Sequence, residues 1–511
     1  MKISRIYVAL CFVTLNLFSQ IEGQINYNSL DNYINETIKE WNIPGLAVAM
    51  VKNDSVIYAK GFGVRSINMK NEINENTIFA IASNTKAFSA NAMAILVDEE
   101  LVSWDDKVIK FIPEFKLYDD YVSNEFTIRD LFCHRSGLKT FSGDLIWYAS
   151  DYSRDEVIEK IQYLEPEYNF RYRFGYSNLM YLVAGEVIEL VTNSTWDEFV
   201  QTHFINQLNM NRTFTSITQF EGVDNIASPH VIKNGQAIEI SYINWDNMGP
   251  AGSINSSVSD MAKWIKFQLN DRSINGNKIV SDENNSELTK LHTPQDINWI
   301  EKELWPSIHF TGYGMGWKVF DYYGYKIVSH SGGVDGMISQ VVLIPEEDFG
   351  FVILTNSGES LPYPLMFHIM DEYLGNSHID YADYFKNYYN QYNKNQSEYF
   401  SKLESERDTL ILSSIPFEDF CGIYHCDVYG SATVKMFENK LYVMLDHTPI
   451  FLGKLTHYKG NRFWIEMEKV PSLSKGFVDF NVNSNNIEML IDIPNPDFHF
   501  TELKFKKTIN Q

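Results

Sequence analysis

The run Phe79-Ala-Ile-Ala-Ser83-Asn-Thr-Lys86-Ala-Phe88 decides the reading of this chain. From Ala87 to Val102, small and apolar residues recur at helical spacing, so the run opens a packed helix. Positions i and i+3 of a helix share a face, which lays Lys86 over Ser83. A serine hydroxyl is a weak nucleophile at neutral pH and needs a base beside it. A desolvated lysine can lose its proton and act as that base. The pattern Ser-x-x-Lys recurs at Ser136–Lys139 and Ser472–Lys475. Context separates the copies. Ser136 is followed by Gly137, and Ser472 follows Pro471 in a β-rich tail; only Ser83 leads into a long apolar helix.

Two further elements lie downstream. Tyr176-Ser177-Asn178 precedes an apolar helical run at Tyr181–Val191. A tyrosine near a lysine can relay a proton to a leaving group, and an asparagine can hold an acyl amide. Tyr33-Ile-Asn35, Tyr242-Ile-Asn244 and Tyr388-Tyr-Asn390 share the pattern, so spacing alone does not choose among them. His330-Ser331-Gly332-Gly333 follows a strand-like stretch from Tyr325 and is the sole His-x-Gly. Glycines on a strand let a substrate approach the backbone. The Gly333 N–H could then join that of Ser83 in an oxyanion hole. Other routes are missing: the sequence has no Gly-x-Ser-x-Gly, no His-Glu-x-x-His and no phosphate-binding Gly-x-x-x-x-Gly-Lys-Ser/Thr. The 12 histidines show no metal-ligand spacing, so neither a metal nor a cofactor is expected.

The ordered set Ser-x-x-Lys, Tyr-x-Asn, His-x-Gly resembles that of the β-lactamase-related serine hydrolases, a relative of the S-x-x-K, S-D-N, K-T-G set. That group includes class C β-lactamases, DD-carboxypeptidases, D-aminopeptidases and esterases. The resemblance extends to Thr127-Ile-Arg-Asp-Leu-Phe-Cys-His-Arg-Ser-Gly-Leu138, Gly249-Pro-Ala-Gly-Ser-Ile254, Tyr313-Gly-Met-Gly-Trp317 and Leu354-Thr-Asn-Ser357, over roughly residues 28–375. It implies an α/β (α+β) fold, with an antiparallel sheet flanked by helices. It further implies a nucleophile at Ser83, its base at Lys86 and a proton relay at Tyr176. Asn178 would bind the acyl group. His330 would stand where a lysine often sits, and Ser331, Gly332 and Gly333 would line the substrate. A neutral histidine suits a substrate carboxylate less well than a lysine does, which disfavours β-lactams; within the family, His-x-Gly more closely resembles DD-peptidases, D-aminopeptidases and esterases, which implies D-amino-acid peptides or small esters. A β-lactamase or acyltransferase of the same fold, and a non-catalytic penicillin or peptidoglycan sensor, are the alternatives. Asp144, Trp147, Tyr148, Trp245 and Trp305 are candidate cleft walls, though each reads more readily as surface or core packing.

The rest of the chain supplies the frame. A helix is expected over 28–42, then a hairpin from Gly45 to Gly61 turning at Lys52-Asn-Asp54. Further helices are expected over 126–133, 155–164 and from the Ser257 cap to Leu269, with strands at Gln340–Ile344 and Gly350–Thr355. Length alone suggests about three domains. Composition divides the 511 residues otherwise: hydrolase domain 24–375, polar helical connector 376–412, and a small all-β barrel, lipocalin-like, over 413–511. Six strands are expected in that tail: Ala432–Phe437, Leu441–Leu445, Phe463–Met467, Gly476–Val482, Ile487–Ile491 and Phe498–Phe505.

Residues 1–23 carry Lys2 and Arg5, then a short apolar run, then small residues, which reads as a signal peptide for a periplasmic or secreted protein. No later stretch is long and apolar enough to span a bilayer. Cys133, Cys421 and Cys426 then remain, and they read as unpaired. Lys and Arg total 42 against 66 Asp and Glu, a net charge of −24. Nucleic acid and anionic lipid, which need basic surfaces, are therefore disfavoured partners. A small-molecule or peptide substrate is expected, with oligomeric state open.

Overall fold

The computed structural model describes residues 25–233, 235–376, 379–470, 472–483 and 486–508. The expected signal segment 1–23 lies outside them. Helix α1 (Tyr27–Glu40) starts where the Asn26 side chain accepts from the Ser29 N–H, and it buries Leu30, Ile34, Thr37 and Ile38 along one stripe. Hairpin β1 (Gly45–Lys52) and β2 (Ser55–Gly63) follows. The helix opened by the Ser83 run is α2 (Thr85–Asp98). Helices α3 (Asn178–Thr192) and α4 (Val258–Leu269) pack with it on one side of the sheet. Strands β3 (Thr293–Pro294), β4 (Thr311–Tyr313), β5 (Lys318–Tyr322), β6 (Tyr325–Val334), β7 (Met337–Ile344) and β8 (Phe349–Thr355) complete the sheet. Its eight strands run β2-β1-β8-β7-β6-β5-β4-β3, and every pair is antiparallel.

Strand alternation divides the apolar residues between two cores. Ala47, Ala49, Val51, Val341, Leu343, Val352 and Leu354 face α2, α3 and α4. Leu46, Val48, Met50, Val342, Ile344, Phe351 and Ile353 face the other way, onto α1 and α5 (Pro362–Leu374). Covered on both sides, β1 and β8 are buried almost throughout, whereas edge strand β2 is mostly exposed. The fold is the expected layered sheet with flanking helices.

Helix α6 (Tyr381–Ser405) buries only Tyr381, Ala382 and Phe385 near its start. A closed eight-stranded barrel follows: β9 (Gly422–Cys426), β10 (Gly430–Phe437), β11 (Lys440–Leu445), β12 (Leu452–Lys459), β13 (Arg462–Met467), β14 (Gly476–Asn483), β15 (Asn486–Asp492) and β16 (Lys504–Lys507). Sequence reading missed β9 and β12. Their inward residues are interleaved with His, Lys and Thr, so each apolar run is too short to stand out. It also set the last strand too early: Phe500–Glu502 forms a 3₁₀ turn before β16. Aromatic side chains fill the barrel, with Phe420 stacked on Phe480 at 4.4 Å. Cys133, Cys421 and Cys426 are all unpaired.

The barrel grips the loop that follows Leu138. His499 Nε2 lies 2.7 Å from the Thr140 carbonyl, and the Gly143 N–H donates to Glu502. Asp151 bonds His447, and Tyr148 packs on Phe451 and Phe498. This anchorage holds the loop that carries Asp144, Trp147 and Tyr148 against the barrel.

Candidate active site

Ser83 lies in a 3₁₀ turn, Ala82–Asn84, that leads directly into α2. Ala82 takes φ +48°, a conformation that strains a residue with a Cβ and concentrates at functional sites. Ser339 on β7 pins the turn: its hydroxyl donates to the Ile81 carbonyl at 2.7 Å and accepts from Asn84 at 2.8 Å. One turn on, Lys86 is fully buried. Its Nζ lies 3.1 Å from Ser83 Oγ, 2.7 Å from Asn178 Oδ1 and 2.9 Å from the Ala251 carbonyl oxygen. As an ammonium it donates to all three. As an amine it keeps two donors for Asn178 and Ala251, and its lone pair faces the Ser83 hydroxyl. Burial pulls its pKa down to about 7, partly opposed by the Asp144 carboxylate.

That carboxylate reaches Lys86 through Asn178. The Asn178 amide donates to Asp144 at 2.7 Å while its oxygen accepts from Lys86. The Trp147 indole donates to the other Asp144 oxygen at 2.9 Å. Asp144 is buried, and desolvation raises its pKa to about 7 against the pull of those two donors and of Lys86. Both ends of the Asn178 amide are thus engaged inside the protein.

Tyr176 is half-buried, lines the cavity beside Ser83, and places its ring centroid 4.8 Å from Lys86 Nζ. Desolvation raises its pKa, so it is a protonated donor at neutral pH. His134 packs beneath at 4.1 Å between ring centroids, and its Nδ1 accepts from the Ser177 N–H at 3.1 Å. That acceptor role puts its proton on Nε2, which has no partner among the described residues. Burial, with Lys86 and His330 nearby, drives its pKa well down.

His330 is buried on β6. Its Nδ1 lies 2.5 Å from the Ser331 carbonyl, so it donates there, and Nε2 accepts from the Tyr313 hydroxyl at 2.7 Å. Burial, then Lys86, pushes its pKa down to about 3, so the ring is neutral. Gly332 brings β6 against the Ser83 turn. A Cβ there would lie 2.2 Å from the Ile81 carbonyl oxygen and 2.9 Å from the Ser83 nitrogen. At Gly333 a Cβ would meet only Ile338, at 3.3 Å. Ser331 and Gly333 are exposed to the cavity in front of Ser83, which measures about 860 Å³.

The structure thus gathers Ser83, Lys86, Tyr176, Asn178, His330, Ser331, Gly332 and Gly333 at one cleft. Of the competing copies only Ser472 reaches this cavity, at its wall beside Asp335, and the others fall elsewhere. Lys139 pairs with Glu502, Tyr33 donates to Asp380, and Tyr242 to the Ala227 carbonyl. Of the candidate walls, Asp144, Trp147, Tyr148 and Trp245 line the cavity. Trp305 does not: it stacks on Phe367 at 3.5 Å in the opposite core. Sequence reading gave no individual role to Tyr313, His134 or Ser339. The first two stand inside quoted segments of the resemblance, but a hydrogen bond across the cleft leaves no spacing signature.

Fold and site together define a protein of the β-lactamase/transpeptidase-like class. The Beta-lactamase family profile matches residues 30–367, and the chain belongs to that family, whose members are serine hydrolases. A second profile, described as a domain of unknown function (DUF3471), matches residues 406–507. Unguisins hydrolase ungD of Aspergillus violaceofuscus is 26% identical over 422 residues, 78% of this chain and 74% of that protein. Protein flp of Staphylococcus aureus MW2 is 27% identical over 343 residues, 66% of this chain and 65% of that one. In fold, the chain matches the octameric penicillin-binding protein homologue from Pyrococcus abyssi with a TM-score of 0.60 at 21% identity, covering 94% of this chain and 100% of that one.

Gly332→Ala forces a Cβ into backbone and displaces β6 from Ser83, at a cost of ~1–3 kcal/mol in denaturant melts and with loss of Ser83 reactivity. Gly333→Ala presses only on the movable end of the Ile338 side chain, at 3.3 Å, and its melting curve should stay closer to that of the parent than that of Gly332→Ala. Asp144→Asn keeps the shape but removes the charge that raises the Lys86 pKa. The acid limb of any Lys86-dependent rate should then move to lower pH; a limb that stays or moves up contradicts the coupling.

Proposed function

We propose that the chain is an exported serine hydrolase that forms an acyl-enzyme at Ser83 from amide or ester substrates, D-amino-acid peptides and small esters foremost. The observation that carries this reading is the fully buried Lys86, within hydrogen-bond reach of Ser83 and with its pKa near neutrality. In its amine form Lys86 takes the Ser83 proton as Oγ attacks the carbonyl carbon. The Ser83 and Gly333 N–H groups receive the oxyanion. As the C–N or C–O bond breaks, Tyr176 gives its proton to the leaving group, and the Lys86 ammonium reprotonates Tyr176. Water then attacks the ester, losing its proton along the same path, and Ser83 is restored. Neutral His330, held by Tyr313, is a dipole rather than a charge at the cleft edge. This supports peptides and esters over β-lactams, whose carboxylate asks for a fixed cation.

Labelling with a fluorophosphonate and a panel of D-peptides, p-nitrophenyl esters and β-lactams, read by peptide mass, should place the adduct on Ser83. Ser83→Ala should lower turnover by at least ~10³-fold. Retained turnover in that variant contradicts the mechanism. Export is tested separately: the N-terminus of protein from an exporting host should lie near Gln24, and an intact Met1 would overturn it.

A further inference from the structure

A second cavity, of about 200 Å³, adjoins the one in front of Ser83. Phe174, Tyr176, His330, Ser331, Gln340 and Tyr363 line both, so the two meet at Tyr176 and His330. Ser83, Asn178 and Trp245 line the first and not the second. The second is walled by segments outside the three motifs: the short helix Trp299–Leu304, the stretch from it into β4, strand β5 and helix α5. Ile308, Phe320, Met366 and Phe367 give it an apolar lining.

Charge on this wall is balanced. Glu301 and Lys318 line it and pair with each other at 2.9 Å. His330 is neutral, and burial keeps the phenols of Tyr176, Tyr313 and Tyr363 protonated. A buried hydroxyl on the wall is unmatched: Thr311 is 4% exposed, and its Oγ1 has no partner among the described residues. Such a hydroxyl is unfavourable, and an occupant with a polar tip supplies the missing hydrogen bond. Position fixes which part of a substrate that occupant is. With the acyl carbon on Ser83 and the acyl group beside Asn178, the departing atom must sit at Tyr176 to take its proton, and this cavity lies on the far side of that tyrosine from the Ser83 cavity.

Resting on the Ser83 acyl-enzyme reading above, we infer that the side cavity receives the leaving group of the substrate, an alcohol or amine carrying one uncharged ring whose polar tip bonds Thr311. Shape and one hydrogen bond then select the leaving group, in place of a cation that binds a carboxylate, since Lys318 is already engaged by Glu301. The residues that do so, Ile308 and Thr311 among them, lie between β3 and β5, away from the motifs that carry the chemistry.

The ethyl, p-hydroxyphenethyl and p-carboxyphenethyl esters of N-acetyl-D-alanine test this in the full chain. They share one acyl group and release primary alcohols, so ratios of kcat/KM report how the leaving group is held during acylation. The hydroxyphenethyl ester should exceed the ethyl ester by at least ~10-fold, and the carboxyphenethyl ester should not. Ile308→Trp, which fills the cavity, and Thr311→Val, which keeps the side-chain shape without the hydroxyl, should each bring the hydroxyphenethyl-to-ethyl ratio toward one. Both rates come from the same folded fraction, so partial misfolding does not alter that ratio. Equal rates in the parent, a carboxyphenethyl ester as fast as the hydroxyphenethyl one, or a ratio that neither variant lowers overturns the inference while leaving Ser83 reactive. If neither these esters nor a fluorophosphonate modifies Ser83, the acyl-enzyme reading fails, and this inference with it.

Discussion

The site depends on burying one ammonium group. Lys86 is stripped of water, and the protein substitutes three oxygens drawn from segments far apart in sequence: a hydroxyl at 83, an amide at 178 and a main-chain carbonyl at 251. Burying a charge without such partners would be prohibitive. With them, Lys86 sits where charged and neutral forms are close in energy. Helices α2 and α3 and the Gly249–Gly252 turn must therefore meet at one point, and the apolar core around them makes that convergence possible. Asp144 adds a further layer, since a carboxylate behind Asn178 biases the proton on Lys86 without touching it.

The sheet contributes the second half of the site through close approach. Strand β6 can lie against the Ser83 turn because Gly332 has no side chain, and Ser339 on β7 ties the same turn from the next strand. His330 is oriented from both sides, by its own main chain and by Tyr313 on β4. The candidate site is thus held by α2 and α3 on one side and by β4, β6 and β7 on the other. The cleft is the seam between those layers.

The barrel extends that seam. Its contacts fall on the loop that carries Asp144, Trp147 and Tyr148, so one surface both docks the barrel and walls the cavity. The overall charge of −24 has a local counterpart here, in a cleft whose wall carboxylates come from both domains.

Much of this was legible in the sequence. The order of Ser83, Tyr176 and His330 motifs, the hairpin at Lys52–Asp54 and the apolar helices from Ala87 and Tyr181 all rest on local periodicity and turn chemistry. Local rules also find most barrel strands, and fail at β9 and β12, where polar residues interrupt the pattern. Sequence alone determined which side chains are available and which faces of each element are apolar. Tertiary structure decided which Ser-x-x-Lys and which Tyr-x-Asn meet, that Asn178 bridges Lys86 to Asp144, and that Asp497 of the barrel lines the same cavity as Ser83. The reason is physical: proton affinity and charge complementarity depend on burial and distances of a few ångströms between groups up to hundreds of residues apart, and no local pattern encodes those distances.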